Sequence, residues 1–80
     1  MEQSTGVGVF DKIDLVLSAL ERSPLALADL SLTTGIARPT AYRLATALEQ
    51  RRYVVRDDQG RFALGPRLGE LAAGGADDWL

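Results

Sequence analysis

The sequence predicts a mostly α fold with one small β-hairpin, and three features carry that expectation. Apolar residues recur at helical spacing in two segments, Val9 to Leu20 and Ala41 to Leu48. Two β-rich runs, 53–56 and 61–64, flank an Asp-Asp-Gln-Gly turn. Proline and glycine punctuate the chain at Pro24, Gly35 and Pro66, where elements are expected to stop or start.

Residues 1–8 are expected to be flexible. Val9, Phe10, Ile13, Val16, Leu17 and Leu20 then form an i, i+3, i+4, i+7 stripe, which predicts a helix over 9–22. It should end before Ser23–Pro24, because a residue preceding proline is pushed out of the helical region. Residues 25–27 read as a short strand able to pair with the later hairpin. A helix over 28–34 follows, stopped by Gly35, which takes positive φ at little cost. Leu32 lies opposite Leu30 on so short a helix, so one of the two is expected at the surface or in a contact.

The next helix is predicted over 38–51. Its inner stripe is Ala41, Leu44, Ala45 and Leu48, with Ile36 plugging the same core. Its remaining face carries Arg38, Thr40, Tyr42, Arg43, Thr46, Glu49 and Gln50. Pro39 falls in the first turn, where backbone N–H groups have no intrahelical partner, so its missing donor costs little and its fixed φ helps start the helix. The hairpin spans 53–64, and three consecutive apolar residues, Tyr53, Val54 and Val55, leave its inward face open. A last helix is predicted over 66–73, started by Pro66, with Leu68, Leu71 and Ala72 on one face. Gly74 and Gly75 are expected to end it, and the residues after them to begin a linker.

The order is helix, short strand, helix, turn, helix, hairpin, helix. That is the layout of a winged helix-turn-helix domain over 9–65, with a linker helix in 66–80.

Composition narrows the chemistry. An apolar fraction of 46% and a charged fraction of 25% are those of a globular domain. With no cysteine and no histidine, there is no disulfide framework, no thiolate metal site and no imidazole base. There is no phosphate-cradling glycine loop and no acidic ligand cluster either, so no enzyme activity, no metal and no cofactor is expected. No apolar run approaches the roughly 18 residues of a membrane span. "MEQSTGVG" lacks the basic-then-apolar pattern of a secretory signal. A soluble, cytoplasmic protein with no membrane partner is the expectation.

The net charge of −2 hides a segregation. Residues 1–37 carry two positive and five negative side chains, and residues 68–80 carry three negative ones. Between them, residues 38–67 carry seven arginines against Glu49, Asp57 and Asp58. Arginine suits bidentate contact with phosphate and guanine, although arginine in place of lysine throughout would give the same count.

Residues 27–71, "LADLSLTTGIARPTAYRLATALEQRRYVVRDDQGRFALGPRLGEL", resemble the DNA-binding domain of the IclR-family transcriptional regulators of bacteria. The pieces that carry the resemblance are "TTGIARPTAYRL", for the turn and recognition helix, and "GRFALGPRL", for the second wing strand and the start of the linker helix. The resemblance implies a homodimer on a palindromic double-stranded DNA operator, repression as the commoner outcome, and a ligand-sensing domain after the linker helix. A small-molecule effector would then act only through a domain not in this chain. Three positions depart from the pattern: Ala37 stands where Ser or Pro is frequent, Arg52 where Gly is usual, and Leu32 where a charge is frequent. A left-handed Arg52 would cost on the order of 1–2 kcal/mol.

In a helix-turn-helix the second helix lies in the major groove with its N-terminal residues near base edges. Arg43 can fork onto guanine O6 and N7, a contact worth roughly 1–3 kcal/mol of discrimination. Thr40 can offer its hydroxyl or its methyl, and Arg38, preceding Pro39, suits phosphate better than base. Tyr42 and Thr46 are placed for phosphate oxygens, and Tyr42 equally for covering the edge of the core. Arg61 in the wing can reach the minor groove or a flanking phosphate, unless Asp57 and Asp58 point the same way. Arg51 and Arg52 suit solvent or Glu49 as well as DNA, Arg56 is equally open, and Arg67 can pair with Glu70. The first and linker helices offer surface for dimerisation. The alternative function is a winged-helix dimerisation domain that does not touch DNA, as at the N-terminus of small-molecule methyltransferases. The polar outer face of helix 38–51 favours DNA.

Overall fold

The structure, a computed structural model, describes the backbone of residues 5–79 and the side chains of residues 8–75. Four helices and one two-stranded antiparallel sheet follow one another: α1 (Thr5–Arg22), α2 (Leu27–Thr34), α3 (Arg38–Gln50), β1 (Val54–Arg56), β2 (Phe62–Leu64) and α4 (Pro66–Trp79). The fold class expected from the sequence is therefore present. α1 begins four residues ahead of the expected start at Val9, and of the segment expected to be flexible, residues 1–4 lie outside the described residues.

The core is built from α1, α2, α3, both strands and the turn before α3, and among the described residues α4 adds none to it. Val16, Ala19 and Leu20 come from α1, Leu30 from α2 and Ile36 from the turn. Ala41, Ala45 and Leu48 come from α3, Val54 from β1 and Phe62 from β2. Val16, Leu30, Val54 and Phe62 are wholly enclosed, and each contributes about 1.5–3 kcal/mol by leaving water. Ile36 plugs this core as its position predicts, and Leu44 sits half-buried at its edge.

The turn between α2 and α3 is held by side chains as well as by its glycine. Gly35 takes φ 75° and its N–H donates to the Ser31 carbonyl, closing α2. The Thr34 hydroxyl donates to the Leu30 carbonyl at 2.7 Å and accepts from the Ile36 N–H at 3.2 Å. The Ser31 hydroxyl donates to the Ile36 carbonyl. These bonds fix the angle at which α3 leaves the turn. Leu32 projects away from all of this, 80% exposed.

Residues 25–27 form no strand. Leu25 alone makes a bridge, exchanging both backbone hydrogen bonds with Phe62 at 2.8 and 2.9 Å, and Leu27 already belongs to α2. The bridge decides the geometry of the wing. Because the N–H and C=O of Phe62 both face Leu25, its cross-strand partner Arg56 forms a non-hydrogen-bonded pair with it. Side chains of such a pair approach more closely than those of the bonded kind. Val54 faces inward and Val55 outward, which settles the face that three consecutive apolar residues left open.

α4 runs through Gly74 and Gly75 to Trp79 rather than ending at residue 73. A glycine costs a helix about 1 kcal/mol but stops it only by leaving helical φ. Among the described residues only Gly35 and Gly60 are glycines at positive φ.

Candidate nucleic-acid interface

Helix α3 starts without a side-chain cap. Ala37 has an extended backbone and no oxygen to offer, and Pro39 lies within the first turn. The first intrahelical bond, from the Ala41 N–H to the Ala37 carbonyl at 2.9 Å, passes over Pro39 and loses nothing to it. The proline is a helix starter, and it fixes where the next residues project.

At about 100° per residue, Ala41, Ala45 and Leu48 define the inner side of α3. Pro39, Arg43, Ala47 and Gln50 lie opposite and are exposed. Thr40 falls on one flank, half-buried beside Leu44. Arg38, Tyr42 and Glu49 fall on the other flank, toward the wing. Among the described residues neither Arg38 nor Arg43 has a carboxylate within ion-pair distance. Both residues are exposed, and Arg38 stands in the uncapped first turn of the helix, a combination that attracts phosphate. Thr46 is less available: its hydroxyl donates to the Tyr42 carbonyl at 2.8 Å and also contacts that of Arg43 at 3.1 Å. It must give up that bond to donate to a phosphate oxygen.

The wing arginines are engaged within the domain. Arg61 Nε donates to Asp57 Oδ2 at 2.8 Å. Asp57 Oδ1 accepts the N–H groups of Gln59 and Arg61, each at 2.9 Å, which makes Asp57 the clasp of the turn, with Gly60 at φ 78°. The Arg61 N–H first, then the Arg61 guanidinium and the Gln59 N–H, hold the Asp57 carboxyl below its ordinary pKa, with desolvation opposing them. Arg56 lies over the Phe62 ring, 4.6 Å from its centroid, and 5.7 Å from that of Tyr42. Its Nε is 3.3 Å from Glu49 Oε1. The Tyr42 hydroxyl, then Glu49, raise the guanidinium's pKa. Glu49 thus pairs with Arg56, and not with Arg51 or Arg52.

Arg52 is left-handed, at φ 66°. It closes α3 as a glycine would: the Tyr53 N–H donates to the Leu48 carbonyl and the Arg52 N–H to that of Glu49, each at 3.0 Å. Its carbonyl accepts from the Arg67 N–H in the first turn of α4 at 3.1 Å, and its guanidinium holds Glu70 at 3.1 Å. Glu70 also pairs with Arg67 at 3.5 Å, the i, i+3 pair visible in the sequence. Gly65 makes the close approach possible, since a Cβ there would stand 2.3 Å from the Arg52 oxygen. The need for glycine at 65 is visible only from this contact. Sequence reasoning also missed Ala47, a small exposed residue on the outermost line of α3.

A three-helix core, a turn fixed by side chains, an outward helix start bearing exposed arginines and a β-hairpin beside it define a winged helix-turn-helix domain. The IclR helix-turn-helix domain profile matches residues 15–58. The chain belongs to that family, whose domains are the DNA-binding part of transcription regulators. It is similar in structure to an IclR homolog from Microbacterium sp. strain HM58-2, with a TM-score of 0.76, 25% identity and 84% of this chain covered. It is also similar in fold to the Thermotoga maritima IclR, with a TM-score of 0.65, 19% identity and 86% covered. The matched regions span 29% and 27% of those chains. No curated protein sequence matches the chain. Among the described residues no helix is long and apolar enough to cross a membrane.

Proposed function

We propose that this domain binds double-stranded DNA sequence-specifically, as half of a homodimer on a palindromic operator, with α3 in the major groove. The observation that carries the reading is the start of α3: Arg38 and Arg43 exposed, without a carboxylate partner among the described residues, on a helix opened by Pro39. In this reading Arg43 reads guanine and Thr40 a neighbouring base from its flank. Arg38 and Tyr42 hold phosphates, and Pro39 sets their direction. Thr46 contributes after exchanging its backbone bond. Arg61 contributes least, because Asp57 offsets its charge.

Dimerisation runs through α1 and α4, which expose Phe10 at 73% together with Val9 and Leu71. The regulator is cytoplasmic and acts chiefly by repression, and effector sensing belongs to a further domain. The test is selection of bound duplexes from random DNA, followed by affinity measurements across salt. A palindrome should emerge, and log K should fall with log salt at a slope near −7, as expected for about eight neutralised phosphates per dimer. Affinity indifferent to salt sinks the reading. The dimerisation-only alternative is favoured instead if R43A and T40A leave duplex binding unchanged.

A further inference from the structure

We infer that Arg56 is a positioning residue of the DNA interface: it fixes Tyr42 of the recognition helix against the wing and does not itself touch the duplex. The inference rests on the DNA-binding reading and deepens it.

Tyr42 and Glu49 are seven residues apart, two turns of α3, and so share the flank that faces β1. Arg56 lies between them and the core: over the Phe62 ring at 4.6 Å, within 5.7 Å of the Tyr42 centroid and 3.3 Å from Glu49. Phe62 is enclosed in the core, and it faces Arg56 as a non-hydrogen-bonded cross-strand neighbour. The guanidinium is therefore anchored from below by a rigid ring and from one side by a carboxylate. Tyr42, 46% exposed, gains from it the restraint that a side chain on an open helix face lacks. A tyrosine has two side-chain torsions to order on binding a phosphate, and a cation against its ring limits them beforehand.

The same contacts argue against Arg56 as a phosphate ligand. Glu49 offsets its charge, and its planar group is committed to the Phe62 face. It joins the two elements that lie against DNA, so its effect on recognition runs through Tyr42.

The experiment is a double-mutant cycle on the selected operator duplex, using the full chain with R56Q, Y42A, the double variant and R56K, each checked for folding by thermal melting. R56Q should weaken binding about two- to fivefold per half-site, the worth of one exposed cation–π contact. The double variant should bind no more weakly than Y42A alone, and the salt slope of R56Q should match the wild type. R56K keeps the charge beside Glu49 and should restore part of the loss. In the DNA-free protein, the χ1 couplings of Tyr42 should move toward rotamer averaging in R56Q, and less so in R56K. Losses that multiply in the double variant, with a slope reduced by about one per half-site, overturn the inference in favour of direct phosphate contact. Tyr42 couplings unchanged in R56Q overturn it without reference to DNA. A wild-type chain that binds no duplex overturns the DNA-binding reading instead, and the couplings still decide whether the clamp exists.

Discussion

Arg38 and Arg43 at the start of α3 and Arg56 and Arg61 in the wing are the same residue type within one basic block, yet the domain uses them in opposite ways. The first two face solvent with no carboxylate beside them among the described residues. Each of the second two rests against a carboxylate, Glu49 or Asp57. The difference follows from local geometry. The first turn of α3 contains no acidic residue, whereas the hairpin needs Asp57 to clasp its turn, and that clasp takes Arg61 with it. Counting arginines therefore overstates the positive charge that the wing presents to a phosphate backbone.

The sharpest test is at Arg43. R43A should lose about 1–3 kcal/mol per half-site and relax the preference at one base position, measured by anisotropy on the selected operator and its single-base variants. An R61A loss as large as that of R43A would break the comparison. G65A addresses the junction that holds the wing against α3: its Cβ would stand 2.3 Å from the Arg52 oxygen. The junction must shift, at a cost of about 1–3 kcal/mol of unfolding free energy, measured by denaturant titration. R52G acts at the same junction in the opposite direction, relieving the left-handed strain at the loss of the Glu70 pair, and should stabilise the fold by up to about 1 kcal/mol.

R61A should change operator affinity less than about threefold, as expected for a half-buried residue already paired with Asp57. The smallest effect is on pH. Asp57 has its carboxyl pKa lowered in the fold. The stability it lends the turn is thus fully present above its unfolded value and is lost as pH falls through the lower folded value. Amide shifts of Gln59 and Arg61 should report this below about pH 4, and D57N should abolish the transition.

Much of the architecture was legible in the residues. The stripe of Ala41, Ala45 and Leu48, the stop at Gly35, the start at Pro39 and the Gly60 turn are local signals, and each stands where the sequence puts it. Leu25 was a weaker case: the pairing partner was anticipated, but a single bridge takes the place of a strand because α2 begins at Leu27. The end of α4 is not legible in the sequence, since glycine is a stop signal only where the chain turns left-handed, and Gly74 and Gly75 do not. The sequence offers the outer-face residues as equals, whereas in the structure Arg61 is paired with Asp57 and the Thr46 hydroxyl is bonded to the Tyr42 carbonyl.

What the sequence determined by itself is the order of elements, the inner face of α3 and the placement of seven arginines in one block. Those properties depend on neighbours within a few positions, and a helical or strand period carries them. What only the tertiary structure decided is which charges cancel across the fold: Arg56 with Glu49, Arg61 with Asp57, Arg52 with Glu70. Two of those pairings, Arg56–Glu49 and Arg52–Glu70, join different elements, and the Arg61–Asp57 pair forms only when the hairpin closes. A Coulombic pair a few ångströms apart depends on where the elements pack, and no spacing along the chain encodes that distance.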